Sequence, residues 1–268
     1  MRSGIASCGL IEQVLEMSNY QRNTSMVACI FAVLIVGAVS IGLIAYYGTD
    51  TWNWNINPAT TDFHFESEVG TINETVTLDL DVSAGGISVV FVDNESLLFD
   101  IDIEVTNTTL ESEEDPVVTF ASNTISLDYP AAGVNVTLGS GVNYTLNIQA
   151  SAGGVSVVLG DGAHVGDVTI SVSAGGVSLV LTDDAVLLGS PDFEIEASAG
   201  GISLTIDLPA GIGGSLVCYA TTGGVDITAT GWNRINSNHY KTSDYDTATQ
   251  ALTIVAECSA GGISAVLT

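Results

Sequence analysis

One phrase recurs along this 268-residue chain, and it constrains the fold more than any other feature. It reads SAGGISVVF from Ser83, SAGGVSVVL from Ser151, SAGGVSLVL from Ser173, SAGGISLTI from Ser198, TTGGVDITA from Thr221 and SAGGISAVL from Ser259. The copies from Ser151 to Thr221 follow one another at nearly even intervals. The longest gap, between Ser83 and Ser151, holds a degenerate copy, AAGVNVTL from Ala131, after an acidic turn at Glu111 to Pro116. A unit of about 22–25 residues is too small to bury its own apolar face and must stack on its neighbours. Before each Gly-Gly pair, apolar or small residues hold every second position, as in Val168, Ile170, Val172, Ala174 and in Phe193, Ile195, Ala197, Ala199. That is the period of a strand with one buried face. After the pair the series resumes one position out of phase, at Val177, Leu179, Leu181 and at Ile202, Leu204, Ile206. A strand running straight on would turn its apolar set to water, so the chain must bulge or turn a corner at the glycines. Glycine permits the positive φ this needs, and the small residue ahead of it lets stacked units approach. The serine that opens most copies reads as a column of hydroxyls capping neighbouring backbone groups, since no GxSxG elbow surrounds it. The expectation is an all-β fold of stacked β-solenoid sheets over 71–268.

Ahead of this domain, residues 26–47 read MVACIFAVLIVGAVSIGLIAYY, an unbroken run without a charge. As a helix rising about 1.5 Å per residue the run spans roughly 33 Å, enough to cross a bilayer. It has no small-residue cleavage site, and Tyr46, Tyr47, Trp52 and Trp54 suit an interfacial belt. Arg2 and Arg22 precede it, and no base follows until Arg234. The positive-inside rule then makes 1–25 a cytoplasmic tail, 48–70 an aromatic juxtamembrane linker, and 71–268 an extracellular domain on a single-pass anchor. Outside, the N-x-S/T sequons at Asn73, Asn94, Asn107, Asn135 and Asn143 become candidate glycan acceptors.

All but two of the 31 acids, and only two of the four bases, lie beyond residue 48, and the net charge is -27. Such a field excludes the usual nucleic-acid binder, which needs clustered Lys and Arg. It suits high salt, where screening shortens repulsion to a few ångströms. A content of 46% hydrophobic residues is too high for a disordered acidic tail.

The repeated strand-small-Gly-Gly-strand unit, the Leu-Pro-Ala-Gly link at Leu208 to Gly211, the segment Asn238 to Tyr245 and the closing SAGGISAVL strand resemble the toast-rack adhesin-like domains of bacteria and archaea. That group includes the C-terminal domain of membrane-anchored regulators of the cell-wall stress response. The resemblance covers roughly Leu78 to Thr268 and implies a stacked, right-handed, solenoid-like sheet arrangement. Stress regulators commonly carry several membrane spans, whereas this chain has one apolar run.

Few residues suggest chemistry. Asp161, Asp167, Asp183, Asp184 and Asp207 fall near the ends of successive repeats, where stacked carboxylates could serve either as Ca²⁺ ligands or as a solvated acidic rim. His64, His164 and His239 lack metal-ligand spacing and read as surface residues. A polysaccharide lyase would need several cations beside carboxylates, and only Arg234 and Lys241 are available. Aligning Thr221 with Ser259 sets Cys218 opposite Ala256 and Cys258 opposite Ala220. If the two strands are adjacent, the residues become diagonal neighbours about 7 to 8 Å apart by Cα, longer than a disulfide prefers, although an oxidising exterior favours the bond. Free buried thiols and a Cys218–Cys258 disulfide both stay open. The expected function is a non-catalytic structural or adhesive surface module without a resident cofactor. Its expected partners are the membrane, cell-surface glycans or surface-layer proteins, and further copies of itself. The competing reading is an accessory regulator of envelope-stress signalling that acts through its span.

Overall fold

The computed structural model describes residues 59–268. The expected tail and membrane helix, and the linker up to residue 58, lie outside the described residues. Among the described residues no helix is long and apolar enough to cross a membrane.

The elements are β1 (Thr60–Glu68), β2 (Val76–Ala84), β3 (Ile87–Phe91), β4 (Leu97–Thr106), a helical turn α1 (Asn107–Leu110), β5 (Thr119–Ala121), β6 (Thr124–Ala131), β7 (Gly133–Leu138), β8 (Tyr144–Ala152), β9 (Val155–Leu159), β10 (His164–Ala174) and β11 (Val177–Leu181). They continue with β12 (Val186–Leu187), β13 (Asp192–Ala199), β14 (Ile202–Ile206), β15 (Ile212–Thr222), β16 (Val225–Ala229), β17 (Trp232–Asn236), β18 (His239–Thr242), β19 (Gln250–Ala260) and β20 (Ile263–Leu267). The folded body begins at β1, inside the stretch read as linker, because the alternation Phe63, Phe65 packs that strand onto the core.

Each Gly-Gly pair is a corner between two sheets. The strand before it belongs to an 11-stranded sheet, ordered β17-β18-β15-β19-β13-β10-β8-β2-β6-β5, with β12 paired to β10. The strand after it belongs to a 9-stranded sheet, ordered β1-β4-β7-β3-β9-β11-β14-β20-β16. The slip in hydrophobic phase is thereby explained: Ile170 and Val172 face the core from one sheet, and Val177 and Leu179 face the same core from the other. The residue ahead of the pair does not join the buried series. Ala84, Ala152, Ala174, Ala199 and Ala260 are exposed, as are Ser83, Ser151, Ser173, Ser198 and Ser259. No side-chain hydrogen bond holds those serines among the described residues, so the column of capping hydroxyls does not form.

The glycines make the corner. In all six pairs the first glycine has φ between +130° and +150°, a region that side chains disfavour. Space forbids a side chain too. A Cβ on Gly153 would overlap the carbonyl of Gly85, one on Gly175 that of Gly153, and one on Gly200 that of Gly175. The ladder also runs around the bend, with Gly153 N donating to Ala174 O at 2.8 Å and Val155 N to Gly176 O at 2.9 Å.

Stacking does not follow sequence order as a simple solenoid would. The corners run Ala132, Gly85, Gly153, Gly175, Gly200, Gly261, Gly223, so only the middle of the stack is sequential. The degenerate copy is outermost, and this accounts for its alanine. Every missing Cβ points toward the Ala132 end, and Ala132 has no further corner to strike.

The second glycine of each pair is different. A Cβ on Gly154 would lie 3.9 Å from Gly176 O, one on Gly176 3.6 Å from Gly201 O, and one on Gly224 would meet nothing. Neither φ nor packing requires glycine there. We expect Gly175→Ala to cost roughly 3 kcal/mol or more of unfolding free energy in urea titrations, and Gly176→Ala less than about 1 kcal/mol. Equal costs would refute this division between the two glycines.

Candidate functional site: a glycine-floored groove

Five of the second glycines, unneeded by the fold, line a concavity of the domain. Five Gly-apolar-polar triplets, beginning at Gly154, Gly176, Gly201, Gly262 and Gly224, form a shallow open groove of about 940 Å³ across β9, β11, β14, β20 and β16. Five strands at about 4.8 Å spacing make it roughly 19 Å long. In-register pairing of Val177 with Ile202 and of Ile202 with Ile263 puts equivalent residues in straight rows. One row is therefore backbone without side chains, and the next is Ser156, Ser178, Ser203, Ser264 and Asp226. Asp226 is the only titratable lining residue. The groove was legible in the sequence as the invariant second glycine of the repeat, present even in AAGV at Gly133, but its meaning required the corner geometry.

The residues singled out from sequence lie elsewhere. Asp161, Asp167, Asp183, Asp184 and Asp207 are all exposed, and Asp167 Oδ1 accepts a hydrogen bond from Asp192 N at 3.0 Å. They do not converge: among the described residues, the one group of three ligating side chains is His64, Asp100 and Asp102. The five sequon asparagines are exposed and none lines the groove. Asn107 Oδ1 accepts from Thr61 Oγ1 at 2.9 Å, and Asn94 Oδ1 from Ser96 Oγ at 2.8 Å.

β15 and β19 pair with Cys218 opposite Ala256 and Ala220 opposite Cys258. Both cysteines are free and buried. Burial pushes the Cys218 thiol up to about 12 and raises that of Cys258, so neither is a nucleophile near neutral pH. Cys258 Sγ instead donates to Gly200 O at 3.4 Å.

Lys241 Nζ sits 3.1 Å from Asp246 Oδ1 and 4.3 Å from the centre of the Tyr245 ring, while Arg234 Nε donates to Asn236 O on edge strand β17. Neither cation lines the groove. His164 and His239 are half-buried rather than exposed, and the His239 ring nitrogen Nε2 lies 3.2 Å from Ser215 Oγ. His64 is the exposed one. Its hydrogen bond to Asp102 raises its pKa, against desolvation and with the further help of the charges of Asp100, Asp102 and Glu66.

The acidic surface has structure of its own. On the 11-stranded sheet, exposed Glu196 lies directly opposite exposed Glu257, and Asp81 opposite Asp128. Like charges directly opposite one another on neighbouring strands destabilise a sheet.

No known protein family matches the sequence, and no curated protein sequence matches it. Among solved structures, the chain is similar to a proposed cell adhesion protein from Clostridium sporogenes, with a TM-score of 0.59 at 17% identity, over 78% of this chain and 100% of that one. A proposed adhesin from Bacteroides fragilis gives a TM-score of 0.24 at 10% identity, over 78% of this chain and 98% of that one. One from Parabacteroides distasonis gives 0.22 at 7% identity, over the same shares. The first likeness is one of fold. The other two are too distant in shape to carry an argument.

The facing acids generate a salt dependence. Raising NaCl from about 0.1 M to about 1 M shortens the screening length from about 10 Å to about 3 Å, below the strand spacing. The melting temperature should rise with salt, and Glu257→Gln should reduce that rise more than Glu194→Gln, because Glu194 faces Val255. A rise unaltered by Glu257→Gln would show that the facing pair is not its source.

Proposed function

We propose that this chain is a membrane-anchored cell-surface module without catalytic activity, which adheres by laying an extended, uncharged glycan strand along the glycine groove. The observation that carries the reading is the second glycine: all seven copies keep it, though a Cβ would fit, and the absence of side chains leaves a flat channel open beside a row of hydroxyls. Serine hydroxyls both donate and accept, which suits the hydroxyls of a sugar chain. With a net charge of -27, anionic polymers would be repelled. Catalysis on such a strand would need an acid and a base, or a nucleophile, flanking the scissile bond. The groove holds one carboxylate.

The fold shared with the Clostridium sporogenes protein supports an adhesive or structural role. The apolar run at 26–47, with Arg2 and Arg22 before it, supports an anchor with the domain outside the cell.

Two measurements test this reading. Full-length protein in detergent should bind a subset of neutral oligosaccharides on a glycan array. Gly201→Leu, whose side chain would project into the groove, should abolish that binding while shifting the melting temperature by only a few degrees. Binding that survives Gly201→Leu would exclude the groove. Separately, protease added to intact cells should remove the β domain, and protection of that domain would reverse the topology and end the case for adhesion.

A further inference from the structure

At the far end of the 9-stranded sheet from the groove, β1 is an edge strand paired on one side only, antiparallel to β4. The register sets Asp62 opposite Glu104, His64 opposite Asp102 and Glu66 opposite Asp100. Two of these three facing pairs are like-charged, and the β7 residues beyond them, Asn135 and Thr137, bring no cation. His64 is thus the one residue on this face able to meet the carboxylates.

Its Nδ1 lies 2.9 Å from Asp102 Oδ1 and 3.4 Å from Asp100 Oδ1. All three ligating atoms lie within 4.8 Å of one another. Asp100 Oδ1 is also shielded from solvent and makes no hydrogen bond, although His64 Nδ1 lies 3.4 Å away, a costly position for a charged oxygen. Donors bound to a zinc-sized ion at about 2.0–2.1 Å in a tetrahedron sit about 3.3 Å apart. The His64 to Asp100 and Asp102 separations bracket that value.

We propose that His64, Asp100 and Asp102 form a divalent metal site of the zinc class, which clamps edge strand β1 to β4. One imidazole nitrogen and two carboxylate oxygens match a borderline ion such as Zn²⁺ better than Ca²⁺, which takes six to eight oxygens. His64 is about half exposed, at 55% of its side chain, so the remaining coordination positions face water. The clamp holds the first strand of the domain, the one nearest in sequence to the apolar run at 26–47, and would resist peeling of that edge.

The test uses tag-free full-length protein in detergent, titrated calorimetrically with Zn²⁺ and, as a spectroscopic stand-in, with Co²⁺. One ion per chain is expected, with visible Co²⁺ absorption typical of nitrogen and oxygen ligands. Affinity should fall more than about tenfold in His64→Gln and in Asp102→Asn, and hold in His164→Ala and His239→Ala. Far-UV circular dichroism checks that each variant is folded. Unchanged Zn²⁺ affinity in folded His64→Gln, or equal competition by Ca²⁺, would overturn the site in favour of diffuse binding to acids. If His64→Gln does not fold, the absence of a one-to-one Co²⁺ spectrum in the unmodified protein would overturn it equally.

Discussion

The rest of the domain depends on the approach of one first glycine to the carbonyl of the next. At each corner the chain leaves one sheet and enters the other while its neighbours do the same one strand spacing away. A side chain there would have to occupy the space of the adjacent carbonyl, as at Gly175 against Gly153. Because glycine leaves that space free, the backbone ladder passes around the bend, and a tight corner that would otherwise strand its polar groups is satisfied by its neighbours. The corner also fixes how far the two sheets stand apart, and hence that Val172 and Val177 can both face one core.

A stack of parallel strands leaves its two ends open, and this chain finishes each end differently. At one end β4 and β1 continue the 9-stranded sheet antiparallel, and a short β5 covers β6. At the other, β17 and β18 close the 11-stranded sheet. The chain then returns to place β19 and β20 inside the stack, beside β13 and β14. The terminal residue is tied there, with Thr268 N donating to Ile206 O at 2.9 Å. The final repeat is therefore part of the core of the stack and not its cap.

Charge is unevenly spread over the two outer faces. Acids crowd the 11-stranded sheet and the β1–β4 edge, while the groove on the 9-stranded sheet carries one carboxylate among glycines and serines. The five sequons beyond the apolar run all precede residue 144, and the groove begins at Gly154. Asn135 on β7 stands in one row with Ser88 and Ser156, so a glycan there would sit two strands beyond the end of the groove.

The sequence alone determined that this is an all-β domain with a bulge or a corner at every Gly-Gly, because a period-two apolar pattern that changes phase at a glycine has few physical solutions; the two-sheet packing made it a corner. It also determined the register around Cys218 and Cys258, since aligned repeats pair like with like. It did not determine the order of the stack. Equivalent repeats carry nearly equivalent edges, and local pattern cannot choose which two become neighbours. The return of β19 between β13 and β15, and of β20 between β14 and β16, was decided by tertiary packing. The same holds for the His64 cluster: His64 stands far from Asp100 and Asp102 along the chain, and only the antiparallel pairing of β1 with β4, set by Phe63 and Phe65 packing against the core, brings imidazole and carboxylates onto one face. The serines mislead in the opposite direction, because repetition marks them as structural while their exposure removes that role. What separates the two glycines of each pair is likewise invisible in the letters, since only the position of the neighbouring carbonyl shows that the first is required and the second is free.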